Sequence, residues 1–244
     1  MNSIEKIWRG FIKEALTDGE WVIKDDDDHI LEIRDNHAFI PNVMSEVMGN
    51  QINSLDLFLK SIGNGLFNIG DYPLTDLALR SYVESLDDDD LIHLRNNDNP
   101  DKPFIYNYPE RLYRVRQSDR NGVVDYFNQV EVMVDRLVND MGSNRSVANL
   151  YMCGLDKDEQ HIPCLQLVQA LIRNNELSLF VYFRSNDLYS AFPSNMMFLQ
   201  YLGLKIVDEL KSSYPSLVFK GVYYSSSSLH IYKGDFEQAK DVVS

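Results

Sequence analysis

Three apolar segments follow one another between Leu165 and Leu210, and no other part of the chain restricts its fold as tightly. Leu165 to Ile172 and Leu177 to Arg184 have the length and composition of strands, and Arg173, Asn174, Asn175 and Glu176 join them. Asparagine accepts the positive φ of a short turn, so the pair is predicted to be a β-hairpin. Asn195 to Leu210 then carries Met196, Met197, Phe198, Leu199, Tyr201, Leu202, Leu204, Ile206, Val207 and Leu210. At 3.6 residues per turn these cover nearly every side of a helix, and a helix without a polar face should be buried.

Elsewhere helical and extended patterns alternate irregularly. Asn2 to Ala15 repeats apolar residues at the three- and four-residue spacing of an amphipathic helix. Trp21 to Ile23 and His29 to Ile33 flank the aspartate run Asp25 to Asp28 as a second hairpin. Ser45 to Gly63, Thr75 to Leu86 and Val123 to Met141 read as helices, and Asn96 to Pro103 as a loop. Phe104 to Tyr113 is an apolar-aromatic run interrupted by Pro109. Ser146 to Cys153 and Leu217 to Tyr224 read as strands, with Asp235 to Val243 as a closing helix. The 244 residues, 44% of them apolar and without repeat or linker, predict one α+β domain over 1–244 with a single sheet packed against helices.

Charge and cysteine usage narrow the function classes. Much of the formal net charge of −14 lies in two tetra-aspartate runs, Asp25 to Asp28 and Asp87 to Asp90, which suit solvated loops. No basic face is visible for polymeric nucleic acid, whereas a small phosphorylated ligand needs only two or three arginines. The two cysteines, Cys153 and Cys164, make neither a disulfide framework nor a zinc pattern, so no metal is expected. With no leader, lipidation signal or 18-residue apolar span, the reading is a soluble, cytoplasmic chain without a membrane partner.

Several polar residues in and around the central stretch could carry chemistry, each with an ordinary alternative. Cys164 is either a buried core cysteine or a thiolate nucleophile stabilised by Arg184, if the hairpin brings the two together. Arg184 with Ser185 resembles an anion site. Asn195 is a helix N-cap or a ligand-reading amide. His230 and Tyr232 alternate in SLHIY and share one face of an extended segment. Tyr108 and Arg111, in YPERL, are packing and surface charge or part of the same site.

Taken together, PCLQ, FRSND, the asparagine eleven residues after Arg184, and SLHIY follow the order and spacing of the thymidylate synthase superfamily. From about Tyr106 to Phe236 the chain resembles the phage deoxynucleotide hydroxymethylases and the short archaeal thymidylate synthases. The resemblance implies a mixed sheet packed against helices and a homodimer formed through the sheet. It implies one-carbon transfer from 5,10-methylenetetrahydrofolate to carbon 5 of a pyrimidine nucleoside monophosphate. Cys164 matches the nucleophile that adds to carbon 6, and Tyr108 a tyrosine near the proton leaving carbon 5. Arg184 and Ser185 match phosphate ligands, and Arg145 of NDMGSNR matches an arginine sent across the dimer. His230 and Tyr232 match ligands of the sugar hydroxyl, and Asp187 the residue that holds the pterin.

Asn195 matches the base reader, where the cytidylate hydroxymethylases carry aspartate, so asparagine favours dUMP. A flipped amide would suit cytosine instead. After one-carbon transfer the superfamily divides between hydration and reduction. Trp8 and Trp21 lie outside the matching region and the chain stops twelve residues after Tyr232. Both features favour hydroxymethylation over methylation to dTMP, because reduction needs water excluded. Some family features are absent: Asn144 replaces one of two adjacent arginines, Pro109 follows the tyrosine, and Leu165 follows the nucleophile. For the family's catalytic glutamate, Asp71, Asp76 and Glu84 are candidates by position alone. A non-catalytic nucleotide-binding homologue is the reading from another class.

Overall fold

The computed structural model describes residues 3–24, 28–48, 108–118, 124–159 and 161–244. The predicted helix at Thr75 to Leu86, the loop at Asn96 to Pro103, most of the helix at Ser45 to Gly63, and Asp71, Asp76 and Glu84 lie outside them. Among the described residues seven strands form one mixed sheet: β1 (Glu20–Ile23), β2 (His29–Pro41), β5 (Val147–Asn149), β6 (Leu165–Arg173), β7 (Glu176–Phe183), β8 (Asn186–Asp187) and β9 (Val218–Tyr232). Their order is β1-β2-β9-β7-β6-β5, with β8 also beside β9. The β7–β9 and β8–β9 pairings are parallel and the rest antiparallel. A separate hairpin joins β3 (Val115–Ser118) to β4 (Val124–Phe127), so the single predicted sheet is accompanied by a small second one.

The helices are α1 (Ser3–Asp18), α2 (Val43–Met48), α3 (Tyr108–Tyr113), α4 (Gln129–Asn139), α5 (Cys153–Asp156), α6 (Phe192–Leu210) and α7 (Phe236–Val243). As its composition requires, α6 is buried along almost its whole length. Gly203 in this helix leaves room for the Phe219 ring of β9, which a Cβ there would strike. Gln200, fully buried, accepts from the Val43 N–H and donates to the Pro41 carbonyl, fixing α6 to the end of β2. On α1, Trp8 is fully buried and its indole N–H donates to the Leu188 carbonyl at 2.8 Å.

Three predicted boundaries need correction. The segment predicted as a helix from Val123 begins as β4, and the helix starts only at Gln129, where the Asn128 side chain accepts from the Val130 and Glu131 N–H groups. Ser146 to Cys153 supplies only a three-residue strand before turning into α5. The last strand extends eight residues past Tyr224, so His230 and Tyr232 belong to the same central strand as the late apolar run. Pro109 lies in the first turn of α3, where its missing N–H costs nothing.

Candidate active site

The β6–β7 hairpin turns through Asn174 and Asn175, both left-handed with φ of 57° and 60°, as a type I′ turn requires. Its register pairs Leu165 with Phe183, so the next residues out, Cys164 and Arg184, lie opposite each other. The Arg184 N–H donates to the Cys164 carbonyl at 2.9 Å. Its guanidinium wraps back over the cysteine segment: Nη2 donates to the Ile162 carbonyl at 2.7 Å and Nε to the Pro163 carbonyl at 3.1 Å. Nη1 lies 3.1 Å from Ser185 Oγ, and Nη2 lies 3.7 Å from Cys164 Sγ. Cys164 Sγ is in turn 3.6 Å from Ser185 Oγ. The thiol is half-buried, with a fixed cation and a hydroxyl beside it.

Tyr108 is buried at the start of α3, and its hydroxyl accepts from the Leu165 N–H at 3.3 Å, one residue from the nucleophile. Arg111, one turn on, is buried rather than a surface charge and pairs with fully buried Asp156 at 2.6 Å. Asp156 also accepts from the Met152 N–H at 2.7 Å, so the ion pair fastens α3 to the turn ahead of Cys164.

Asn195 is not the N-cap of α6. The helix starts three residues earlier, with Ala191 in the cap position, and Asn195 falls inside the first turns with its side chain buried. Its amide nitrogen donates to Asn186 Oδ1 at 2.9 Å, leaving the amide oxygen and a second N–H for a ligand. Asn186, in β8, is buried, and its own nitrogen donates to the Tyr224 hydroxyl at 3.3 Å.

His230 stands beside Asp187 in the β8–β9 register. The Ser228 hydroxyl gives its hydrogen to the Glu32 carboxylate and sits 3.4 Å from His230 Nδ1. A serine whose hydrogen is committed can only accept, so His230 carries its proton on Nδ1 and keeps a bare lone pair on Nε2. That Nε2 is buried and has no protein partner among the described residues. Burial, with smaller contributions from the Lys24 and Arg184 charges, holds the ring well below the usual histidine range, at about 4, so it is a neutral acceptor at neutral pH. Tyr232 packs edge-on against the His230 ring at 5.0 Å, and the Lys24 ammonium lies 5.3 Å from the Tyr232 ring centre.

Asp187 accepts the Tyr189 and Ser190 N–H groups at 3.1 and 2.9 Å, turning the chain toward α6. Burial pushes its carboxyl up to about 6; those backbone bonds pull it down and the Asp235 carboxylate adds to the rise. Arg145 stands apart. Its exposed loop is held by Ser143 Oγ and by Arg136, and among the described residues it shares no hydrogen bond or ion pair with the Cys164 group.

Sequence reasoning gave no role to Lys24, Glu32, Asn186, Tyr224, Ser226 or Ser228. The available signal was the two-residue alternation of Tyr224, Ser226, Ser228, His230 and Tyr232, which puts all five on one face of β9.

Comparison with known proteins bears on the family of the chain. The family model described as Thymidylate synthase matches residues 93–244. A Methanocaldococcus jannaschii protein named "Putative thymidylate synthase" is 29% identical, over 98% of this chain and 92% of its own length. One of the same name from Methanothermobacter marburgensis is 25% identical over 100% and 96%, and one from Methanosarcina mazei is 29% identical over 57% and 58%. Among the described residues no helix is long and apolar enough to cross a membrane. With the family model covering more than half of the sequence, the chain belongs to the thymidylate synthase family.

Proposed function

We propose that the protein transfers a one-carbon unit from 5,10-methylenetetrahydrofolate to carbon 5 of dUMP, with hydroxymethylation as the outcome. The observation that carries this reading is the meeting of Cys164, Arg184 and Ser185 within hydrogen-bonding reach, with the buried Asn195 amide ten residues further along the chain. Cys164 adds to carbon 6 of the ring, which makes carbon 5 nucleophilic toward the one-carbon unit that the folate supplies. Arg184 and Ser185, with Lys24 at the rim and Arg145 of a second subunit, hold the phosphate. The bare Nε2 of His230 accepts from the sugar hydroxyl and Tyr232 flanks it. Asn195 donates to O4 and accepts from N3–H, and its donated bond strengthens as O4 becomes anionic. Tyr108 receives the carbon 5 proton. The half-buried Asp187 carboxyl fits the amino–amide edge of a pterin, which offers it two N–H donors.

A second subunit is supported by the sheet face turned away from the helices. Phe39, Tyr182 and Tyr223 are exposed there, and the Tyr223 ring stacks on Phe180 at 4.5 Å. These residues line a hollow of about 520 Å³. An aromatic face of this kind suits a partner of the same chain. Sedimentation of the parent and of Tyr223→Asp tests it: dimer in the first and monomer in the second are expected, and a monomeric parent removes the shared phosphate site.

Hydroxymethylation is supported by the tryptophans: Trp8 is committed to the Leu188 carbonyl and Trp21 packs on Phe236 at the sheet edge. Methylation to dTMP is the second reading, favoured by the name the methanogen relatives carry. Mass spectrometry of the product from dUMP, dCMP, UMP and CMP with methylenetetrahydrofolate separates the readings. A gain of one CH₂O is expected, whereas a gain of one CH₂ with stoichiometric dihydrofolate establishes methylation.

A further inference from the structure

We infer that Glu32 and Ser228 act as positioning residues that lock the His230 ring as a hydrogen-bond acceptor, so that the site takes a mononucleotide whose sugar hydroxyl is free and refuses one whose sugar oxygen is alkylated or esterified. The inference rests on the nucleotide reading above. A neutral imidazole can meet a ligand in two ways, because either nitrogen can carry the hydrogen. With the hydrogen on Nε2 the ring would donate to a hydroxyl, ether or ester oxygen alike. With a bare lone pair there it needs a hydrogen from the ligand, and of these groups only the hydroxyl has one to give.

The sheet register brings the three residues to one face. Glu32 of β2 is the direct antiparallel partner of His230 in β9, and Ser228 stands two residues before His230 on the same strand. A carboxylate has no hydrogen to give, so the Ser228 hydroxyl donates to Glu32 and presents a lone pair to His230 Nδ1 at 3.4 Å. Moving the ring hydrogen to Nε2 would either set two lone pairs against each other or withdraw the Ser228 hydrogen from the carboxylate, breaking a charge-assisted bond. Tyr232 packs edge-on against the ring at 5.0 Å and His230 is only 3% exposed, which leaves the ring little room to turn over. The lock leaves Nε2 buried and without a partner among the described residues. A buried acceptor left bare is costly, and a ligand hydroxyl removes that cost. Burial keeps the ring uncharged at neutral pH, so the lone pair is not lost to a second proton.

Nitrogen-15 NMR of the imidazole in the free protein reads the tautomer with no ligand present. The parent and Ser228→Thr, which keeps the hydroxyl, should carry the hydrogen on Nδ1. Ser228→Ala removes the acceptor, and the amide of Glu32→Gln can donate to Ser228 and free its hydrogen for Nδ1, so both should shift the ring toward Nε2–H. A parent with the hydrogen on Nε2, or a tautomer unmoved in both variants, overturns the inference. The second measurement compares dissociation constants for dUMP, for 2′,3′-dideoxyuridylate, which lacks the one free sugar hydroxyl of dUMP, and for 3′-O-methyl-dUMP, whose sugar oxygen there can only accept. The parent should favour dUMP over the dideoxy compound by about tenfold or more, and Ser228→Ala should reduce that ratio to about two- or threefold. The O-methyl compound should bind the parent worst and gain in Ser228→Ala, where Nε2 can donate to it. Unaltered ratios in a folded Ser228→Ala protein overturn the inference. A parent that holds the hydrogen on Nδ1 but binds none of these nucleotides overturns the functional reading and leaves the lock in place.

Discussion

At one end of the site a full positive charge is stabilised by carbonyls and opens toward solvent; at the other, three uncharged side chains, Asn195, Asn186 and Tyr224, are joined by hydrogen bonds in the interior. Arg184 tolerates some water because its guanidinium is held by the Ile162 and Pro163 carbonyls. The Asn195–Asn186–Tyr224 group lies out of water and contains no charge. The contrast teaches that this fold sets a fixed charge at the solvent-facing end of the proposed site and uncharged, hydrogen-bonded groups at its buried end.

The comparison breaks most completely at Cys164. Cys164→Ala should lower tritium release from carbon 5 of dUMP by about 10³-fold or more with no loss of stability. Residual release near the parent rate would leave the charged end without a purpose. Arg184→Lys keeps the charge but cannot span two carbonyls and Ser185 at once. KM for the nucleotide should rise about tenfold and unfolding in urea should show a loss of about 1–2 kcal/mol. A change in stability without a change in KM would make Arg184 a purely structural clamp.

A pH titration sharpens the interior side. His230, held at about 4 against an ordinary 6.5, binds protons more readily unfolded, so its contribution to stability falls as pH drops from about 6.5 toward 4. Asp187, raised to about 6 from 3.8, binds protons more readily folded, so its contribution falls as pH rises from about 4 through 6. The two slopes oppose each other in one window. Denaturation between pH 4 and 6.5 should therefore steepen toward acid instability in Asp187→Asn and lose that slope in His230→Gln. Parallel profiles in both variants would remove the assignment. The smallest effect belongs to the rim: Lys24→Ala should raise KM about threefold at low salt and less at high salt, because an exposed charge is screened.

The charged end was largely legible in the sequence. The hairpin register follows from two apolar runs and an asparagine pair, and it sets Cys164 opposite Arg184 without help from elsewhere. Where sequence reasoning failed, the competing cause was local or distant. Asn195 resembled a cap because cap preference is a property of one residue, whereas Pro193 and the apolar Phe192 begin the helix earlier. The serines of β9 looked like unremarkable spacing. Ser228 depends on Glu32 from the neighbouring strand, and Tyr224 on Asn186, thirty-eight residues upstream, pairings that only the sheet order creates. Arg111 was misread as a possible surface charge because Asp156, forty-five residues away, neutralises it.

The position of β9 between β2 and β7 has a consequence for biosynthesis. This strand is the last of the described strands to leave the ribosome, yet it joins the two halves of the sheet: β2 must wait about two hundred residues for its partner, and β7 stays an open edge until then. Contacts so distant in sequence make closure slow, and the nascent chain exposes unpaired strands in the meantime. The polar run Ser225 to Ser228 keeps the middle of that late strand from being a sticky apolar segment while it waits.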